Sequence, residues 1–146
     1  MLYKELKKQA IRDLSDYYYL KSSLDTLPQE IRLLQNSSLY SSPDITVSVM
    51  SNASPDSRMI NHITRMETLQ NLLRSNTDKL HNMDIALKAL RPSQREILFS
   101  YYINRQRKAV NRLAIDTHTD RSALYRRAIR ALDKYILAYF GTLGDK

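Results

Sequence analysis

The chain's only two glycines, Gly141 and Gly144, lie within its last six residues. That placement removes many of the folds open to a chain of 146 residues. Glycine lets the backbone pass close to a ligand or adopt positive φ without strain. A Gly-rich phosphate loop therefore has nowhere to form, which excludes the P-loop and the Rossmann fingerprint. The Asn-Gly and Asp-Gly turns of tight β-hairpins are missing as well. The long remaining stretches carry helical periodicity, so the sequence predicts an all-α fold.

A first helix is predicted over roughly Leu2–Leu24. Tyr3, Leu6, Ala10, Leu14, Tyr17, Leu20 and Leu24 recur at spacings of three and four, which places them on one face. The stretch "TLPQE" then interrupts. Pro28 suits the first turn of a new short helix, ending near Gln35, because its missing N–H costs nothing there. These N-terminal helices make up residues 1–35. Residues 36–57 differ in kind, with eight serines and two prolines and no helical period. They read as a linker or loop. Within them, "ITVSV" has strand character but no evident partner.

A long helix comes next, assigned to 58–90 with its pattern starting near Pro55. Met59, Met66, Leu73, Leu80 and Leu87 repeat every seven residues, and Ile63, Leu69, Met83 and Leu90 widen the stripe. Gln70, Thr77 and Asp84 at the intermediate heptad positions argue against a clean two-stranded seam. Packing as an antiparallel hairpin with the first helix is the simpler reading. Pairing into a homodimer is its alternative. Asp78 and Asp84 read as solvated charges. Tyr17, Tyr18 and Tyr19 cannot all point one way from a helix, which favours core plus partner contact over base stacking.

Charge narrows the function. Residues 1–90 carry 11 Lys/Arg against 10 Asp/Glu, whereas residues 91–146 carry 12 against five. Nearly all of the net +8 therefore sits in the last 56 residues. Such asymmetry suggests a polyanion-binding segment beside a neutral one. With no cysteine, disulfides and thiolate metal sites are excluded. No apolar run approaches the ~18 residues of a membrane span. "MLYKELKKQA" carries no signal-peptide pattern, so a cytoplasmic protein without membrane contact is expected. His62 and His81 stand 19 residues apart and make no metal pair. No catalytic residue, metal or cofactor is expected, and the chain does not read as an enzyme.

The basic segment, 91–146, has internal order. In "LRPSQREILFSYYI", Pro92 suits a first helical turn, and Ser93 with Glu96 has capping-box spacing. Ile97, Leu98, Tyr101 and Tyr102 supply a buried face. After the basic loop "NRQRK", a short helix "KAVNRLAID" turns Val110, Leu113 and Ala114 inward. Asp120 is placed to cap a helix starting at Arg121. On that helix Leu124, Ala128, Ala131, Leu132 and Tyr135 form the inner stripe, with small Ala128 and Ala131 allowing a close crossing. Two helices joined by a short turn, the second basic near its start, make a helix-turn-helix arrangement. Its expected partner is double-stranded DNA. Arg121, Ser122, Tyr125 and Arg126 are the candidates for reading base edges. Arg105, Arg107, Lys108, Arg112, His118, Arg127 and Arg130 are the candidates for gripping phosphates. RNA is the weaker target, because the aromatic platform of the common RNA modules is missing.

The segment "LRPSQREILFSYYI…LAIDTHTDRSALYRRAIRALDKY" resembles region 4 of bacterial sigma-70-type factors. The matching residues are Leu90, Arg95, Glu96, Ile97 or Leu98, Tyr101 or Tyr102, Leu113, Ala114, Asp120 in the serine capping place, and Arg130-Ala131-Leu132. His118 departs from the pattern by replacing the turn glycine, and Thr117 by replacing a buried apolar residue. With the Tyr-rich N-terminus, the "LYSSPD" linker and the long middle helix, the chain is similar to small phage late-transcription regulators of the RinA and ArpU type. That resemblance implies activation of phage late or packaging operons in a bacterial host. It also implies a sigma region-4-like surface able to meet host RNA polymerase. A separate promoter-melting domain has no room, and the chain has no Trp for a melting helix. Two alternatives stand beside the regulator. One is a DNA-packaging protein of the small-terminase kind, and the other is a module that binds host polymerase without reading DNA.

Overall fold

The computed structural model describes residues 1–37 and 55–146. Among them all regular structure is helical, and the fold is all-α. In chain order come α1 (Leu2–Ser15), α2 (Tyr17–Asn36), α3 (Pro55–Lys88), α4 (Pro92–Leu98), a π-helical segment (Phe99–Ile103), α5 (Arg107–Asp116) and α6 (Arg121–Phe140). The expected linker is helical at both described ends, since Asn36 belongs to α2 and Pro55 to Ser57 open α3. The strand-like "ITVSV" lies outside the described residues.

The first predicted helix is in fact two. Asp16, at φ −90° and ψ 0°, ends α1, and α2 starts at the next residue. The Ser15 hydroxyl donates to the carbonyls of Ile11 (2.7 Å) and Arg12 (3.0 Å) and so competes for the last helical acceptors. Periodicity misses the break because Leu14 and Tyr17 keep a spacing of three across it. The second helix also starts earlier than expected, and Pro28 sits inside it. A proline there removes one backbone hydrogen bond. Burial of Leu27 and Ile31 on either side holds the helix through that loss.

The chain divides into two compact units, Met1–Leu20 with Lys79–Lys146, and Lys21–Asp78. This division cuts across the expected boundaries at 35, 57 and 90. In the Lys21–Asp78 unit α2 and α3 run antiparallel. Asn76 donates to the Ser23 hydroxyl at 3.0 Å, while Leu33 and Leu34 lie beside Arg65. Two members of the α3 stripe are not covered, for Met59 is 40% and Ile63 49% exposed.

The other unit holds the larger core. Ala10 and Leu14 of α1, Met83 of α3, Leu98, and Leu124, Ala128, Ala131, Leu132, Tyr135 and Ile136 of α6 are fully buried. Helix α1 packs against α6. One carboxylate is buried with them. Asp13 accepts hydrogen bonds from Lys79 Nζ and Gln9 Nε2, each at 2.8 Å. These two partners offset the cost of removing its charge from water. Asp84, expected to be a solvated charge, is half-buried and accepts from the Tyr17 hydroxyl at 2.9 Å. The C-terminal tail returns to α1. The Tyr3 amide donates to Asp145 at 2.7 Å, and the Tyr3 hydroxyl donates to Asp133 at 2.7 Å. Gly144 is needed for this return: its φ is +71°, and a Cβ there would come within 2.9 Å of Leu2 Cγ.

Candidate nucleic-acid interface

Helices α4, α5 and α6 share a small core of Ile97, Leu113, Leu124 and Ala128. Tyr101, Tyr102, Val110 and Ala114 pack around it, partly buried. The opening cap of α4 differs from the expected Ser93–Glu96 pair. Its N-cap is Arg91, whose backbone N–H donates to Gln94 Oε1 at 3.1 Å. The arginine side chain has no acceptor to return the bond, so only half of a capping box forms. Pro92 takes the first helical position, as expected.

After Leu98 the helix widens into the π-helical segment, closed by an Asn104 N–H to Phe99 carbonyl bond of 2.7 Å. The extra residue in this turn was not legible in the sequence. Arg105 follows in the left-handed region at φ 51°. A non-glycine residue there carries about 1 kcal/mol or more of strain.

The turn between α5 and α6 has a recognisable design. Thr119 N–H bonds the Ala114 carbonyl at 3.0 Å, and His118 N–H bonds the Ile115 carbonyl at 3.2 Å. These two bonds form a Schellman cap. Its left-handed residue is His118, at φ 50°, in the place that usually takes glycine. Thr117, exposed, donates from its hydroxyl to the Leu113 carbonyl at 2.7 Å. Asp120 then caps α6, its side chain accepting the Ala123 N–H at 2.7 Å.

The capped helix turns one face fully inward, with Leu124, Ala128, Ala131, Leu132 and Tyr135 all at 0% exposure. The opposite face carries the predicted contacts. Ser122, Arg126 and Arg130 are exposed at steps of four residues, so they stack along a single ridge. Arg121 and Tyr125 form a second row at the margin. Tyr125 is 54% exposed, with its ring 6.4 Å from that of Tyr101. Arg121 is drawn towards α5, where its guanidinium donates to Asn111 Oδ1 at 2.5 Å. Arg127 lies on the other flank and reaches the Thr119 hydroxyl at 3.4 Å. The four expected base readers therefore fall on two rows, one projecting and one tied to the neighbouring helix.

The predicted phosphate residues are exposed too, and they separate likewise. Arg105 and Arg107 meet Arg121 at an open cleft of about 350 Å³, lined also by Ser100, Tyr101, Gln106, Val110 and Asn111. Among the described residues its lining has no carboxylate. Burial pushes the pKa of the Tyr101 hydroxyl up; Arg121 opposes that and Tyr125 adds to it. The phenol stays neutral and can donate. Three guanidiniums, a phenol and two amides suit an oxyanion with several acceptor atoms. Lys108 and Arg112, one helical turn apart on α5, stand outside this cleft, as do His118 in the turn and Arg130 on α6. Asn111, Gln106 and Tyr101 were not foreseen as members of the site. Nothing in the sequence marks them, because their role depends on which helix lies opposite.

No protein family, curated protein or solved structure matches the chain. Among the described residues no group of His, Cys, Asp and Glu could hold a metal ion, and no helix is long and apolar enough to cross a membrane.

Proposed function

We propose that this protein is a sequence-specific double-stranded DNA-binding regulator of transcription. Its reading helix is α6, with the first turns entering the major groove. The observation that carries this reading is the two-sided character of α6. Ser122, Arg126 and Arg130 project on a ridge directly behind an Asp120-capped start, while Leu124 and Ala128 opposite them are fully buried. A helix so anchored presents rigid donors at groove depth. Arg126 is the residue assigned to a guanine edge, with Ser122 and Tyr125 beside it. Arg105, Arg107 and Arg121 seat one backbone phosphate in their shared cleft. Lys108, Arg112, His118, Arg127 and Arg130 add phosphate contacts around it. The resemblance to sigma region 4 and to RinA- and ArpU-type regulators supports activation of phage late or packaging genes, with host RNA polymerase as a second partner.

Binding to cognate and scrambled duplexes tests this. Affinity should fall with salt at a slope of about −0.9 per neutralised phosphate. Arg126→Ala should lose ~1–3 kcal/mol on the cognate site and relax preference at one base pair. Arg112→Ala should weaken both duplexes equally and lower the salt slope by about 1. A flat salt titration removes the DNA-binding reading. Equal losses for Arg126→Ala on both duplexes would assign that arginine to gripping. Mass in solution with DNA separates a regulator, as monomer or dimer, from a packaging ring of many copies.

A further inference from the structure

A second groove lies beside the arginine cleft and brings the N-terminus into the same surface. It occupies about 500 Å³ between the α1–α2 junction and the loop that follows the π-helical segment. Ser15, Asp16, Tyr18 and Tyr19 form one wall, and Ile103, Asn104 and Arg105 form the other. Resting on the DNA-binding reading above, we propose that this groove seats the sugar–phosphate backbone of duplex DNA flanking the stretch that α6 reads.

Three observations carry the proposal. The first is continuity. Arg105 lines both this groove and the arginine cleft, so the two concavities adjoin at this residue. The second is the exposure of Tyr19, at 77%, with Tyr18 beside it at 45%. The helix break at Asp16 lies just before these tyrosines, and Tyr17 alone of the three is buried in the core. A large aromatic ring left in water next to a basic loop suits a deoxyribose face, and its hydroxyl can donate to a phosphodiester oxygen. The third is the backbone of Arg105. Its φ of 51° lies in the left-handed region, and the residue is an exposed cation that lines both concavities. Among the described residues Asp16 is the groove's single acid. It repels phosphate at its end, so the strand passes along Tyr19, Asn104 and Arg105.

The test uses the full chain and two duplexes. One covers only the stretch read by α6, and the other extends roughly one helical turn, about 10 base pairs, further on each side. Wild type should bind the longer duplex more tightly. Tyr19→Ala should lose about threefold to tenfold on the longer duplex, the size of one or two lost hydrogen-bonded contacts, and nothing on the shorter. Tyr19→Phe, which removes only the hydroxyl, should recover part of that loss. Asp16→Asn should tighten the longer duplex alone by a few-fold. Melting curves of the variants establish that each is folded. Unchanged affinity of Tyr19→Ala for the longer duplex, or equal losses on both duplexes, overturns the groove while leaving α6 as the reading helix. Wild type that binds neither duplex overturns both readings.

Discussion

The guanidinium of Arg121 donates to the side-chain oxygen of Asn111 at 2.5 Å, joining the first turn of α6 to the middle of α5. Arg121 is thereby held at the arginine cleft beside Arg105 and Arg107, not on the ridge of Ser122 and Arg126. On the proposed DNA-binding reading, Asn111 positions Arg121 to grip a phosphate. Asn111→Ala should weaken cognate and scrambled duplexes by the same few-fold factor. Stability should change by about 1 kcal/mol or less, since the bond is exposed. A loss confined to the cognate duplex would instead place Arg121 among the base readers.

Leu132 is fully buried on α6, in the core unit that also contains α1. Leu132→Ala should cost ~2–5 kcal/mol, from lost transfer energy plus the cavity left behind. Thermal or denaturant unfolding measures this directly. An unchanged midpoint would mean that the face assigned to the core is not the one that packs.

His118 holds the left-handed position of the α5 cap at φ 50°. Glycine removes the Cβ clash of about 1–2 kcal/mol there but gains entropy when unfolded. His118→Gly should therefore stabilise the fold by a net of about 0.5–1 kcal/mol while weakening DNA binding on all sequences. Denaturant midpoints and duplex titrations report the two effects separately. A less stable variant would show that the imidazole contributes more than its backbone strain costs.

Tyr17 donates its hydroxyl to Asp84 at 2.9 Å. Burial first, then this bond to Asp84, pushes its ionisation from 10.0 up to about 12. Folding thus favours the neutral phenol. The stabilisation is complete below pH 10 and is lost as pH rises from 10 towards 12. In a series of unfolding curves across that window, Tyr17→Phe should lose less stability than wild type. Parallel declines for the two proteins would show that the Tyr17–Asp84 contact adds no alkaline sensitivity.

Helix class and helix phase were legible from residue types alone. The spacing of Leu124, Ala128, Ala131, Leu132 and Tyr135 reports the 3.6-residue repeat, and the acid at Asp120 reports a cap satisfied within one turn. The structure buries that stripe, forms that cap and is all-α among the described residues. Only the tertiary structure decided what depends on elements distant in sequence. The break at Asp16 leaves the apolar repeat intact, so periodicity cannot register it. Asp84 and Asn111 look like solvated polar residues until Tyr17 and Arg121 are brought opposite them. The left-handed backbone at Arg105 comes just after the π-helical turn, and no residue type signals it. Local chemistry sets which face of each helix is wet, but long-range packing sets which wet residues meet. The arginine cleft and the groove beside it arise from that second step.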